Sequence, residues 1–486
     1  MEGLYGRKQI FVNQREITRD NVVDVIAAAS TVHDENATQI TYLYNFYRGQ
    51  QDILGRKKVY HDEINNKVVE NRANEIVTFK VGYLVGEEVQ YISASNEKNV
   101  NANVIRLNDF MEYNSRATTD VELIEWCMIA GVGYEMVLPV ADAAERAECP
   151  FELVVLDPRE AFVIRSNDVA HKVLCGVTFA EYTAPDSVVV GKTRTARIYR
   201  VYTPTRVFTV DDGKVTAEEP NLIGRIPLVE YPANSARLGV FEPVVSLLNS
   251  INTIDSNRLD GIEQFIQSLL VLVNAELDDG ENAQSIREKG MIILKSLGEN
   301  RADVKIIAEE LNQQQTQTLK DDLYNAVLTI CSMPSRNSND SGSNGIAIVY
   351  RDGWSAAETA AKASEAMYKK SDRELRKVMF SIINGATDMD IKLSDVVCKF
   401  TRRSYENIET KSQTLISMLN NDKIDPRYAY TACGLFVDPE EAYTAGMEYY
   451  NSTHKTAEDA ASEEGDAGTQ PTGEYIRGYY RQPADE

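Results

Sequence analysis

Residues 239–273 read GVFEPVVSLLNSINTIDSNRLDGIEQFIQSLLVLV, and their pattern decides how the chain is built. Pro243 suits a first helical turn, where a missing amide hydrogen costs nothing. Val244, Leu247, Leu248, Ile251 and Ile254 then keep a three-to-four spacing, which Ile262, Phe265, Ile266 and Leu269 resume. Taken locally, this is an amphipathic helix packed on a core. Short strand candidates follow, LLVLVN, GMIILKS and ADVKIIA, separated by acidic and glycine-containing turns. Next, residues 311–333, LNQQQTQTLKDDLYNAVLTICSM, set Leu319, Leu323, Val327 and Ile330 on one face. A helix, a small β unit and a return helix describe a protrusion on a two-helix stalk.

Downstream lies SMPSRNSNDSGSNGIAIVYRDGW, residues 332–354, whose first half has the composition of a mobile loop. It leads into SAAETAAKASEAMYKKSDRELRKVMFSIING, where Ser355 and Glu358 have capping-box spacing. The acid-to-base pairs Glu358/Lys362, Glu365/Lys369 and Asp372/Arg376 stand four apart, each worth about 0.2–0.5 kcal/mol on a solvated helix. About 28 residues at 1.5 Å rise predict a rod of roughly 42 Å that holds its shape with little burial.

Upstream, helical periodicity is expected in DNVVDVIAAAS, ATQITYLYNFYRG and NKVVENRANEIVTFKVGYLVG. Strands are expected in GYEMVLPV, FELVVLDP, EAFVIRS and SVVVGKTRTARIYRVYTPTRVFTV. The alternation in ARIYRVY and RVFTV favours half-exposed antiparallel pairs. From about residue 388 come a strand, DVVCKFTRR, and three short helices, the last opening on Asp438-Pro439. Residues from about 455 are acidic and rich in Gly, Ala and Ser, a disordered composition, ending in EYIRGYYRQPADE. That ending reads as an unstructured terminus or a short partner-docking motif.

The 486 residues carry 51 Lys+Arg against 74 Asp+Glu, a formal charge of −23. Such a balance argues against tight nucleic-acid binding through counterion release. Cys127, Cys149, Cys175, Cys331, Cys398 and Cys433 lie far apart, which suggests reduced structural thiols and no zinc site. MEGLYGRKQIFVNQ lacks a signal-peptide core, and the longest apolar run, about LLVLV, is too short to span a membrane. A soluble protein made in the cytoplasm is the expectation.

Motifs of catalysis are absent from this reading. Gly191-Lys192-Thr193 looks like the end of a phosphate-binding loop, but position 186 is Asp186 and strand-like sequence follows, so a hairpin turn is expected. His33, His61, His171 and His454 are scattered; three stand among polar residues, so exposed side chains are expected. No catalytic residue, metal ligand or cofactor is assigned. Tyr42, Tyr44, Phe46, Tyr47 and Tyr60 flank Arg48, Arg56, Lys57 and Lys58. That interleaving occurs in nucleic-acid binders, but a packed helix face followed by a basic loop is the simpler reading.

The order of several segments resembles a known family. The tyrosine-rich Leu43–Ile53, the Asn66–Asn71 segment and Val81–Gly86 are similar to the N-terminal signature of tailed-bacteriophage portal proteins, in the family typical of siphophages of Gram-positive hosts. IPLVEYPANSARLGVFEPVVSLLNSIN resembles its hand-over from body to first stem helix. KFTRRSYENIETKSQTLISMLN and LFVDPEEAYTAGMEYYN resemble its C-terminal crown. The likeness covers roughly residues 35–452.

This resemblance implies an α+β portal fold: wing 1–237, stem helices 238–272 and 311–333, clip 273–310, and channel loop 334–352. The long channel helix and a strand returning to the wing would occupy 353–400, the crown 401–455, and an acidic tail 456–486. It implies a non-enzymatic ring, normally of twelve copies, at one capsid vertex of the virion. Double-stranded DNA would pass through it without sequence specificity. Partners would be the terminase large subunit, a head-completion adaptor, and the major capsid and scaffolding proteins, with no membrane. Arg336, Asn337, Asn339, Asn344 and Arg351 are the candidate channel-loop residues, and Arg287, Lys289 and Lys295 the candidate clip docking surface. Twelve copies at −23 each carry about −276, and a like-charged wall would keep a sliding polyanion from adsorbing. A scaffold protein of low oligomeric order, or a carboxylate-based hydrolase, are the alternatives.

Overall fold

The computed structural model describes residues 6–59, 62–94, 97–185, 193–266, 269–273, 275–277, 294–296, 303–307, 313–335, 353–400, 408–436 and 439–453. The chain divides into two compact units, residues 1–405 and 406–486.

In the first unit, strand β1 (Ile10–Val12) precedes a 26-residue helix, α1 (Val22–Tyr47). Its stripe of Val22, Val25, Ile26, Ala29, His33, Asn36, Ile40, Leu43 and Phe46 is buried, so two expected helical segments form one helix. The polar TVHDEN between them is tolerated because its two inward side chains find partners. His33 Nε2 lies 2.8 Å from the Arg159 carbonyl, and its ring stacks on Phe162 at 4.5 Å. Asn36 both accepts from Lys8 N and donates to Lys8 O, each at 2.9 Å. The expected exposure is therefore corrected for His33, which is 2% exposed and whose burial lowers its pKa.

Helix α2 spans Arg72–Val85 and opens on Asn71, whose side chain accepts from Asn74 N. It begins later than the expected helix, because residues 66–70 are not helical. After β2 (Gln90–Ser93) come α3 (Lys98–Tyr113) and α4 (Arg116–Ala130), neither of them anticipated. Four asparagines in α3 depress its helix propensity, yet Val104, Leu107, Phe110 and Met111 bury one face.

Gly131 (φ +79°) ends α4 and turns the chain into β3 (Val132–Pro139). A Cβ there would fall 2.2 Å from the Arg237 carbonyl oxygen, so only glycine lets the two backbones cross. The short α5 (Ala143–Glu148), β4 (Phe151–Leu156), β5 (Ala161–Ser166), β6 (Val173–Pro185), β7 (Thr193–Tyr202), β8 (Arg206–Asp211), β9 (Lys214–Pro220) and β10 (Leu228–Pro232) follow. They build a six-stranded sheet ordered β1-β5-β6-β7-β8-β9 and a three-stranded sheet ordered β10-β3-β4. The sheets are antiparallel, as the alternation predicts, except that β1 runs parallel to β5.

Helix α6 (Val245–Ile266), strands β11 (Leu269–Val273), β12 (Ala275–Leu277), β13 (Leu294–Ser296) and β14 (Asp303–Ile307), and helix α7 (Gln313–Ile330) form the helix–β–helix excursion. Pro243 sits in the single 3-10 turn that opens α6. Strand β11 pairs with β14 and β12 with β13, both antiparallel.

The 33-residue α8 (Trp354–Ala386) is longer than expected and is not a solvated rod. Its three acid-to-base pairs form, at 3.7, 2.5 and 2.8 Å. However, Asp372 and Arg376 are buried, with Tyr368, Leu375, Val378, Met379, Phe380, Ile382 and Ile383 around them. The capping box does not form either. Gly353 (φ +84°) precedes the helix, Ser355 lies inside it, and Glu358 Oε2 accepts instead from Tyr83 OH at 2.9 Å. Strand β15 (Val396–Lys399) then pairs with β2.

A buried polar cluster bolts α8 to the sheet and helices around it. Arg116 Nη1 pairs with Glu135 of β3, and its Nη2 lies 2.9 Å from Asp120 and also donates to Tyr368 OH of α8. Tyr368 OH donates in turn to Asp120. Farther along α8, Asp372 accepts from Tyr91 OH at 2.6 Å and from Arg376 Nε at 2.8 Å, while Arg376 Nη1 reaches the Val396 carbonyl at 2.9 Å. Three carboxylates thus share two guanidiniums in a site shielded from water. Burial, reinforced by the Asp120 charge and only partly offset by Arg116, pushes the Glu135 carboxyl up to about 7.

In the second unit, α9 (Ile408–Leu419), α10 (Pro426–Cys433) and α11 (Pro439–Thr453) close a small core of Leu415, Ala429 and Cys433. Asp425 caps α10 by accepting from Arg427 N, and Tyr430 packs on Phe436 and Tyr443. All six cysteines are buried and free.

Two outcomes follow. Gly131→Ala should cost about 2 kcal/mol or more in chemical unfolding, through backbone strain and the clash with Arg237. For Glu135, a folded pKa raised to about 7 means that its contribution is intact below about 4.5 and is lost as pH rises through 7. Wild-type stability measured against Glu135→Gln should therefore fall by up to about 3 kcal/mol across that window. A flat difference would show that Glu135 stays ionised.

Candidate functional site at the base of residues 336–352

The stalk is built on a geometric match between α6 and the extended segment 66–70. Asn252, Ser256 and Asp260 stand four apart on α6, a rise of about 6 Å per step. The amides of Glu70, Val68 and Asn66 recur every second residue, about 6.6 Å apart in extended chain. Each helix side chain accepts from one amide: Asn252 from Glu70 N (2.8 Å), Ser256 from Val68 N (3.0 Å) and Asp260 from Asn66 N (2.7 Å). Asn252 and Ser256 are fully buried, and Asp260 is nearly so. The expected helical start at Asn66 is therefore corrected, since these amides bond to α6.

Asp260 also collects the basic loop, with Arg56 at 3.1 Å and Lys58 at 2.6 Å. Tyr42, Tyr44 and Tyr47 are partly buried against the core, and Phe46 completely. The aromatic and basic segment thus has a structural use.

The return helix lies against α6. Arg258 donates to Gln313 at 3.1 Å and to Gln317 at 2.8 Å. Lys320 sits between Asp255 (2.9 Å) and Glu70 (2.6 Å). Burial raises the Asp255 carboxyl, which shares its site with Glu70. At Glu70 burial works the same way but is outweighed by hydrogen bonds with Asp255 and Lys320 and by the Arg72 charge, so that its carboxyl falls well below the usual range. The Arg72 guanidinium covers the Tyr324 ring at 4.1 Å, and Tyr324 OH donates to Glu75 at 3.0 Å.

At the far end of α7 the chain enters the polar segment and, after it, returns. Cys331 and Met333 are buried, and Ser332 adopts φ +50°. Lys80 Nζ donates to the Ser332 carbonyl at 3.0 Å. Desolvation lowers the pKa of that amine to about 8. A Cβ on Gly353 would stand 3.4 Å from the Met333 carbonyl oxygen and 3.6 Å from Pro334 Cα, so the two ends of the segment meet. Trp354 then packs on Phe79 and Tyr83, each at 6.1 Å between ring centroids. The pair Phe79–Tyr83 stacks at 5.6 Å.

Of the residues singled out from sequence, Arg336, Asn337, Asn339, Asn344, Arg351, Arg287 and Lys289 lie outside the described residues. Lys295 is on β13, in register with Glu276 of β12. Gly191 and Lys192 also lie outside them; β6 and β7 pair up to Pro185–Thr193, and a strand follows Thr193. Sequence reasoning missed Lys80, Tyr83, Trp354 and the 252/256/260 series. The last had a legible signal, polar residues spaced by four on the side of a helix that also buries Leu248 and Ile251. Among the described residues no three His, Cys, Asp or Glu side chains are grouped to hold a metal ion, and no helix is long and apolar enough to cross a membrane.

Comparison with known proteins adds the following. The family model "Phage portal protein, SPP1 Gp6-like" matches residues 28–467. The portal protein of Bacillus phage SPP1 is 20% identical over 343 residues, covering 64% of this chain and 64% of that protein. This chain thus spans less than two thirds of that relative's length. A chain of the solved structure "Neck of empty GTA particle computed with C6 symmetry" aligns over 75% of this chain and 90% of its own, with a TM-score of 0.43 and 12% identity. With the model spanning nearly the whole sequence, this chain belongs to the SPP1 Gp6-like phage portal protein family.

Proposed function

We propose that this protein is the portal subunit of a tailed phage, forming a ring of about twelve copies at one capsid vertex through which double-stranded DNA enters and leaves. The observation that carries this reading is the helix–β–helix excursion whose return helix runs directly into the closed base of residues 336–352. In that arrangement α6 and α7 are the stem, residues 273–310 the clip and 334–352 the channel loop. Residues 1–237 are the wing, with α8 and β15 returning to it, and 401–455 are the crown. The protein belongs to the virion and catalyses no reaction; the terminase supplies the work of packaging.

Exposed apolar side chains support assembly. Leu259 and Ile262 on α6, and Leu319 and Ile330 on α7, are each about half exposed in the single subunit. Neighbouring copies in a ring would cover them, at about 25 cal/mol per Å² of apolar area removed from water. The acidic charge of −23 per copy suits a channel that must not hold its cargo. Arg336 and Arg351 at the loop, with Asn337, Asn339 and Asn344, touch phosphates transiently. Arg287, Lys289 and Lys295 on the clip meet the terminase large subunit and then the head-completion adaptor. The capsid and scaffolding proteins contact the outer ring.

Negative-stain imaging and native mass measurement of the purified protein should reveal closed rings near twelve-fold. A stable monomer would overturn the proposal, and metal- or nucleotide-dependent turnover would favour a hydrolase. Rings of the double variant Arg336→Ala/Arg351→Ala should assemble normally but package DNA less efficiently. Wild-type packaging would show both side chains to be dispensable.

A further inference from the structure

Helix α2 carries two adjoining faces. Ala73, Ile76, Val77, Val81, Leu84 and Val85 are buried in the main core, so the helix is seated firmly. Along a flanking side Arg72, Glu75, Phe79 and Tyr83 follow the three-to-four spacing of a single stripe, with Lys80 next to Phe79 at its edge. Every member of that stripe meets the stem or the two ends of the polar segment. Arg72 and Glu75 hold Tyr324 in the middle of α7. Lys80 holds the Ser332 carbonyl where the chain leaves α7, while Phe79 and Tyr83 meet Trp354 where it returns. Tyr83 OH reaches one turn further, to Glu358.

The exit contact is a demanding one. Ser332 occupies the left-handed region at φ +50°, which a non-glycine residue adopts at a cost unless its surroundings hold it there. An ammonium group beside the last carbonyls of α7 suits the negative end of the helix dipole. Lys80 is partly withdrawn from water to deliver that charge, and one half-buried donor thereby answers the carbonyl of a residue held in the left-handed region.

We propose that Lys80 is a positioning residue which fixes the point where residues 336–352 leave the stem, and that Tyr83 does the same for their return. One rigid helix then holds both ends of the segment at a set spacing. The placement rests on the described contacts alone; only its consequence for DNA rests on the portal reading.

Limited proteolysis of the purified protein, with cleavage sites mapped by mass spectrometry, tests this directly. Lys80→Met keeps the aliphatic stem and removes the donor. It should raise the cleavage rate at residues 331–335 about tenfold, the change in local opening expected on losing one charge-assisted hydrogen bond. Cleavage within 408–453 and the midpoint of thermal unfolding should stay close to wild type, and Lys80→Arg should recover most of the protection. Unchanged cleavage in Lys80→Met would overturn the proposal, as would a uniform rise at all sites with a lowered melting midpoint. If Lys80→Met does not fold, Tyr83→Phe reports on the returning end: faster cleavage next to Gly353 supports the clamp, and wild-type cleavage overturns it. A DNA-packaging assay on the same variants separates the two ideas. Failure of wild-type rings to package DNA counts against the portal reading and leaves the proteolysis result intact.

Discussion

The described part of the stalk depends on one commensurability. Four residues of α-helix and two residues of extended chain advance by nearly the same distance, about 6.0 against 6.6 Å. Asn252, Ser256 and Asp260 can therefore accept successive outward amides of residues 66–70 with little distortion. Each of those amides would otherwise be left unpaired against a buried helix, at a cost of about 1–3 kcal/mol. Their satisfaction sets the register of α6 on the first unit, and register on α6 decides where α7 can lie. The triad Glu70–Lys320–Asp255 depends on that alignment, because Glu70 belongs to the extended segment and the other two to the stem helices.

A second constraint governs α8. An ordinary solvated helix would draw a few tenths of a kcal/mol from each of its charge pairs. Burying Asp372 and Arg376 changes the sign of the problem, since both charges lose water and need full sets of partners. Tyr91, the Val396 carbonyl and each other provide them. The neighbouring cluster of Arg116, Asp120, Glu135 and Tyr368 does the same for the helix one to two turns earlier. These groups specify one rotation and one height of α8 against β3 and β2, which apolar packing alone would leave freer. The start of α8, next to Gly353 and Trp354, inherits that position.

Much of the architecture was legible because long periodic segments declare themselves. The strands β3, β4, β5, β7 and β8, the helices α6, α7 and α8, and the three short C-terminal helices were anticipated, whereas β6 was not. The expected antiparallel pairing of β7 and β8 matches their register. What went unread has specific causes. Helix α3 hides behind asparagines whose low propensity is overridden by four buried apolar residues. His33 and Asn36 look like surface residues until a partner carbonyl from Arg159 or a backbone edge at Lys8 appears. The spacing Ser355/Glu358 suits a cap, yet Gly353 takes the turn and Glu358 answers Tyr83.

Taken by itself, the sequence determined the alternation of elements, the acidic balance and the helix–β–helix order on which the portal reading rests, because periodicity and composition are local properties. Tertiary structure alone decided which polar residues matter. Lys80, Tyr83, Asn252, Ser256 and Asp260 acquire their roles from groups up to 275 positions away in the chain, as Tyr83 and Glu358 illustrate. Hydrogen bonds and desolvation act over a few ångströms, and no pattern in a one-dimensional string records which distant backbone amide or carbonyl will fall within that range.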